Sequence, residues 1–232
     1  MMIDKHELYR YILPLMNSNM FVLIFGQNAL IIDPNESEEA FNTLEGGRIN
    51  NITVILTHEH FDHISGVNRL KELMAQNGGK CTVYANSFCA EAITDADANL
   101  SRFFKALFIT RADDEQELAE SIFDTDYSCA ADISFEGDTE IKWENLTLRL
   151  HSTPGHSPGS ICIEMYDESG KLLAVATGDS LVEGNTVITR LPRGNKSDYR
   201  SITRPYLESL APDTLILPGH GEISYLRELV LG

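Results

Sequence analysis

A chain of 232 residues that is 43% hydrophobic and 23% charged has the composition of a packed protein and excludes a disordered or low-complexity one. Its 35 acids against 18 bases leave a formal net charge of −17. Such a surface repels phosphate backbones and anionic headgroups, which sets aside nucleic acid and membranes as partners and leaves a small-molecule substrate.

From the N-terminus, Met1–Arg10 is polar and mixed in charge. The apolar stretch Tyr11–Met16 contains Pro14 and is too short for a secretory core. The run Met20–Phe25 is far below a membrane crossing. The expected location is the cytoplasm, where Cys81, Cys89, Cys129 and Cys162, scattered without a C-x-x-C pair, stay reduced. Met20–Phe25 and Ala29–Ile32 flank Gly26-Gln27-Asn28 and read as a β-hairpin ending at Asp33-Pro34. Ser37–Leu44 is helix-like and closes at Gly46-Gly47. Ile52–Leu56 is a β-branched apolar run suited to a buried strand. It leads into Thr57-His58-Glu59-His60-Phe61-Asp62-His63. Ser65–Gln76 has helical spacing at Val67, Leu70, Leu73 and Met74, and Cys81–Tyr84 is another strand.

Residues 95–132 differ in character: 10 acids face the bases Arg102, Lys105 and Arg111. The stretch reads as an acidic, partly helical insertion with a solvated face. Its aromatics Phe103, Phe104 and Phe108 either cover a cleft or anchor the insertion. From Ile133 strands return at Ile141–Trp143, Leu146–Leu150, Ser160–Tyr166 and Leu172–Thr177. Ser197–Leu210 reads as helix, Thr214–Leu217 as strand and Ile223–Leu231 as a closing helix. The interleaving of strands and helices predicts one α/β domain over 1–232.

The strongest chemical signal is His58-x-His60-x-Asp62-His63 at the end of a buried strand. Imidazole and carboxylate suit zinc, iron and manganese. Residues two apart on an extended segment share a face, so His58 and His60 can grip one ion, while the turn into the next helix aims Asp62 and His63 toward a second. Three further pieces follow strands: Thr153-Pro154-Gly155-His156-Ser157-Pro158-Gly159-Ser160, Gly178-Asp179-Ser180 and Leu217-Pro218-Gly219-His220-Gly221. Five of the 7 histidines thereby lie in Gly- or Asp-flanked loops after strands.

With these four motifs in this order, the sequence resembles the metallo-β-lactamase-fold hydrolases, and among them the glyoxalase II-like (hydroxyacylglutathione hydrolase-like) branch. The resemblance implies a mixed α/β, four-layer αββα sandwich with a dinuclear site at one edge. It places His58, His60 and His156 on one divalent ion and Asp62, His63 and His220 on the other, with Asp179 bridging. Zinc is the expected metal, iron or manganese the alternatives. Asp33 stands where the family has a residue that orients a ligand histidine. Asp62 and Asp179 are the expected catalytic carboxylates. Antibiotic hydrolysis is not expected, because family β-lactamases use a cysteine near the Asp179 position and Cys162 sits mid-strand. Where bacterial glyoxalase II-like members read Gly-Arg-Thr-Asp before Leu-Pro, this sequence has Val187-Ile188-Thr189-Arg190. Arg190 or Arg193 could supply the missing anion contact to substrate.

The expected activity is hydrolysis of a small thioester, ester or lactone by a hydroxide generated between two ions. Alternatives within the same resemblance are a mononuclear iron persulfide dioxygenase and a phosphodiesterase or nuclease. The absence of a basic stripe weighs against the last.

Overall fold

A computed structural model describes residues 1–104, 106, 113–122, 124–182 and 187–229. The first sheet contains β1 (Met2–Ile3), β2 (His6–Ile12), β3 (Asn19–Phe25), β4 (Asn28–Ile32), β5 (Asn51–Ile55), β6 (Lys80–Asn86) and β7 (Ile133–Phe135), side by side in chain order. β1 to β4 pair antiparallel and β4 to β7 parallel. Parallel neighbours need crossovers. α1 (Glu38–Gly46) joins β4 to β5, while α2 (Phe61–Ile64) and α3 (Val67–Gln76) join β5 to β6. Between β6 and β7 lie α4 (Ser87–Ala92), α5 (Ser101–Phe104) and α6 (Asp113–Ile122).

The second sheet contains β8 (Thr139–Trp143), β9 (Leu146–Ser152), β10 (Ile161–Tyr166), β11 (Leu172–Gly178), β12 (Leu215–Pro218) and β13 (Ser224–Tyr225). Only β11 and β12 pair parallel. Their crossover is a continuous helical run: α7 (Lys196–Asp198), a π-helical turn at Tyr199–Thr203 and α8 (Arg204–Ser209).

The period-2 alternation of strand side chains builds the layers. Phe21 and Leu23 of β3 point to one face and meet Leu148, Leu150, Ile163 and Met165 of the second sheet. Met20 and Val22 point to the other and pack with Phe41, Leu70 and Met74 of the helices. On the far side, Cys162, Val175 and Ile216 pack with Leu207 of α8. The result is the expected αββα sandwich, and Cys162 is part of its core. All 4 cysteines are unpaired. No described helix is long and apolar enough to cross a membrane.

One sequence expectation is corrected. The closing helix expected over Ile223–Leu231 is not formed across its described residues, Ile223–Leu229. Ser224 and Tyr225 pair with Ile216 and Leu215, and one 3₁₀ turn follows at Leu226–Glu228. The spacing of Leu226 and Leu229 fits a single turn as well as a helix, and edge pairing with β12 decides it. The polar N-terminus also forms β2, whose alternating burial at His6, Leu8 and Tyr11 is diluted in sequence by charged outward-facing neighbours. Of the three aromatics in the acidic segment, Phe104 packs against Phe61 at 5.7 Å between ring centroids and Phe103 is exposed; Phe108 lies outside the described residues.

Candidate metal centre

Five strand ends meet at one edge of the sandwich. Asp33 follows β4, Thr57–His63 follows β5, Thr153–Ser160 joins β9 to β10, Asp179 follows β11 and His220 follows β12. These loops bring together all seven ligand candidates. His58, His60 and His156 have donor atoms within 4.8 Å of one another, and so do Asp62, His63 and His220. A third such group, Asp33, His58 and His63, overlaps both.

The hydrogen bonds assign which ring nitrogens face inward. Thr57 is the hub. Its backbone N–H donates to Asp33 Oδ1 at 2.7 Å and its hydroxyl to Asp33 Oδ2 at 2.6 Å. With its hydrogen so used, Thr57 Oγ1 accepts from His58 Nδ1 at 3.0 Å. His58 Nε2 is therefore the bare nitrogen, and it is buried without a partner. His63 Nδ1 donates to Asp33 Oδ2 at 3.1 Å, and His156 Nδ1 donates to the Ile188 carbonyl at 2.8 Å. Each ring is thus held by its outer nitrogen and presents Nε2 to the site, the pattern of metal-ligating histidines.

The separations between donor atoms suit shared ions. His63 Nε2 and His220 Nε2 are 3.4 Å apart, and Asp62 Oδ2 lies 3.5 Å from the first and 3.4 Å from the second. His60 Nδ1 and His156 Nε2 are 2.9 Å apart. For bonds of about 2.05 Å, such spacings correspond to ligand–metal–ligand angles of roughly 90–117°. Asp179 stands between the groups: Oδ2 is 3.4 Å from His156 Nε2 and 3.5 Å from His220 Nε2, and Oδ1 is 3.5 Å from His63 Nε2. Asp179 Oδ1 is buried with no hydrogen-bond partner, an orphan that a cation would satisfy. The donor set therefore fits metal ions.

Charges in the metal-free cluster sort the same way. Burial drives His58 well below its usual range, helped by His63 and His60. It drives His60 down to about 3 and lowers His156. Burial also opposes charge on His63 and His220, but Asp62 and Asp179 outweigh it and raise His63 to about 9 and His220 to about 11. Those cations in turn hold Asp62 low and Asp179 well below the carboxylate range, against the penalty of burial. One group is thus three neutral imidazoles and the other two imidazoliums paired with carboxylates.

Several supports were invisible in the motif pattern. Ser18 Oγ donates to the Asp62 carbonyl at 2.9 Å. Asn19 Nδ2 donates to the carbonyls of Pro218 and Gly221 at 2.9 and 2.8 Å, which fixes the His220 loop. Glu59, buried inside the histidine motif, accepts from Ser157 Oγ at 2.8 Å and ties the His60 loop to the His156 loop. Its carboxyl is pushed up by burial. The only available signals were polar residues at the start of an apolar run and a carboxylate between two buried histidines.

The two arginines part company. Arg190 lines a cavity beside Ile188. Arg193 lies outside that lining, and its charge only partly offsets the burial that pushes the Glu59 carboxyl up. A separate cavity of about 960 Å³ is edged by Glu36, Glu38, Glu39, Glu72 and Asp124, and none of the seven ligand candidates lines it.

Gly219 has no room for a side chain. A Cβ there would collide with Asp179 Oδ1 and lie 3.0 Å from His63 Cε1 and 2.8 Å from the Gly178 carbonyl carbon. Gly219→Ala is expected to displace Asp179, lowering bound metal and reducing turnover by about 100-fold, the scale at which misplaced metal-site groups act. Metal analysis and steady-state rates on the variant check this; unchanged values for both would show that the cluster tolerates the shift.

Comparison with known proteins agrees with the fold. The profile of the Metallo-beta-lactamase superfamily matches residues 13–220. The chain is 28% identical over 205 residues to the probable metallo-hydrolase YqgX of Bacillus subtilis, covering 88% of this chain and 85% of that one. It is 29% identical over 204 residues to the hydroxyacylglutathione hydrolase GloC of Haemophilus influenzae, covering 87% and 84%. Among solved structures, the BLEG-1 B3 metallo-beta-lactamase superposes with a TM-score of 0.72 over 96% of this chain and 95% of its own, at 22% identity, which speaks for the fold alone.

Proposed function

The chain belongs to the metallo-beta-lactamase superfamily, and from that premise we propose that it is a hydrolase holding two divalent metal ions and acting on a small thioester, ester or lactone. His58, His60 and His156 would hold one ion; Asp62, His63 and His220 the other; Asp179 would touch both. The observation that carries this reading is the position of Asp179, whose two oxygens reach the donor atoms of His156, His63 and His220 at 3.4–3.5 Å. The match to a hydroxyacylglutathione hydrolase of Haemophilus influenzae supports an acyl substrate.

Two bound divalent ions supply Lewis acidity to a carbonyl oxygen and lower the pKa of a water from 15.7 to about 7. The chain's own residues set the geometry. Asp33, through Thr57 and His63, locks the rings of both groups. Asp62 would orient the attacking water, and the proton that water loses would pass to an alkoxide leaving group or, where a thiolate leaves unprotonated, to solvent. Burial of five of the seven donors excludes bulk water, whereas Asp179 and His220 keep 13% and 23% of their side chains exposed, and this is the side from which substrate enters.

A panel of acyl thioesters, lactones and a bis(p-nitrophenyl) phosphodiester, assayed on zinc-, manganese- and iron-reconstituted protein, tests the proposal. Turnover is expected for thioesters or lactones with about two ions per chain. Turnover confined to the phosphodiester, or one iron per chain with oxygen uptake on a persulfide, would replace it.

A further inference from the structure

A cavity of about 530 Å³ lies across Ile188 from His156 and is lined by Ile188, Arg190, Lys196, Tyr199, Arg200 and Arg204 among others, with four cations and no carboxylate in its described lining. That is a local reversal of charge on a chain at −17. Residues 190–204 carry five bases (Arg190, Arg193, Lys196, Arg200, Arg204) and one acid, Asp198. Lys196, Arg200 and Arg204 are spaced four apart along one helical run, where like charges repel and destabilise the helix. Arg204 is partly balanced by Glu208 at 2.8 Å. Arg190, Lys196 and Arg200 have no ion-pair partner among the described residues. The π-helical turn at Tyr199–Thr203 falls in the middle of this row, and such turns recur at functional sites.

The cavity is physically joined to the reacting end. The Ile188 carbonyl that forms part of its wall region holds His156 Nδ1 at 2.8 Å. Tyr199 packs so closely on Gly155 that a Cβ there would lie 2.5 Å from Tyr199 Cβ, and Gly155 has a φ of +144°. The backbone N–H of Asn195 donates to the Gly155 carbonyl at 2.7 Å, and Thr203 Oγ1 donates to the Pro154 carbonyl at 2.6 Å. The helical run bearing the cations is therefore fastened to the loop that carries His156.

We infer that this cavity receives a phosphate or pyrophosphate group on the part of the substrate remote from the scissile carbonyl, so that the substrate is the acyl ester or thioester of a phosphorylated carrier. This rests on the hydrolase reading above and narrows it. Guanidinium forks match phosphate oxygens in pairs. Four lining cations, of which only Arg204 is paired with a carboxylate among the described residues, suit a group with two or more negative charges. They suit a tripeptide thiol poorly, because its ammonium would have no anion to meet.

The test uses metal-loaded full-length protein and one acyl group on three thiols: coenzyme A (phosphorylated), N-acetylcysteamine (neutral) and glutathione (carboxylates and an ammonium). The coenzyme A thioester is expected to have the highest kcat/KM. In the double variant Arg190→Ala/Arg200→Ala, its advantage over the neutral thioester should fall by about 100-fold, roughly tenfold per lost charge-assisted contact, chiefly through KM. Binding of adenosine 3′,5′-bisphosphate, measured by calorimetry, should weaken in parallel. Equal kcat/KM for all three thioesters, unchanged by the double variant, would overturn the cavity's role and leave the hydrolase reading standing. Hydrolysis of none of them, with bisphosphate binding that the variant abolishes, would uphold the anion site and sink the thioester form of the hydrolase reading. Bisphosphate binding that is equal in both proteins would overturn the site directly.

Discussion

Asp179→Ala is expected to lose at least about 10³-fold in turnover, the scale of losing a group on which the reactive centre depends, while the sandwich stays folded. The reason lies in what that carboxylate alone does. His58, His60 and His156 form a complete trio without it, and Asp62, His63 and His220 form another. Asp179 is the residue whose oxygens reach both, at 3.4 Å from His156 and 3.5 Å from His63 and His220. Its loss leaves two separate sites rather than a pair, and leaves the two imidazoliums with Asp62 between them and Asp33 on the outer nitrogen of His63. Metal content should fall from about two ions per chain toward one, the trio of neutral histidines being the site that survives. Asp179→Asn separates shape from charge: it keeps the volume and one oxygen but removes the anion, and is expected to be nearly as inactive as alanine. Near-UV circular dichroism establishes that the fold is intact, and metal analysis with thioester or lactone assays gives the rest. Two ions and full turnover in either variant would remove Asp179 from the centre.

That an aspartate 116 positions beyond His63 could be suspected from sequence at all is a consequence of strand ends. Asp179 and His220 each follow an apolar run that ends in a glycine, as sequence alone shows, and β11 and β12 run parallel, so both loops emerge at the same edge. The histidine motif was legible for a similar reason, since it begins where a β-branched run stops. The layers were implied by the resemblance rather than by this strand, since Met20–Phe25 is apolar throughout and only packing divides Phe21 and Leu23 from Met20 and Val22. What could not be read were contacts whose partner is backbone. Ile188 acts through its carbonyl, and Asn19 acts on the carbonyls of Pro218 and Gly221; neither role depends on a residue type that sequence flags. Glu59 was hidden differently, because an acid between histidines looks like a solvated neighbour until Ser157 is brought to it by folding. The cationic row of Lys196, Arg200 and Arg204 needed the helical run to be seen against its cavity before the spacing acquired meaning.

Removing the metal should abolish turnover, and restoring it should depend steeply on pH with a sign set by the two groups. In the metal-free chain His63 is raised to about 9 and His220 to about 11 by Asp62 and Asp179. At neutral pH both carry protons, which an incoming ion must displace from a coupled cluster. The apparent affinity of that site therefore rises with pH, by up to about 100-fold per unit below pH 9, where two protons leave, and about tenfold per unit between 9 and 11. His58, His60 and His156 behave oppositely. All three are lowered by burial, so their site accepts an ion near neutrality without releasing protons. Chelator-treated protein titrated with zinc should thus fill in two steps, the first almost independent of pH from 6 to 8 and the second strengthening with pH. Calorimetry in buffers of different ionisation enthalpy should register about two protons released in the second step at pH 8 and none in the first. Activity should track the second step, since the proposed reaction uses both ions. Two steps with equal pH dependence, or full activity after the first alone, would contradict the division of the cluster into a neutral and a protonated half.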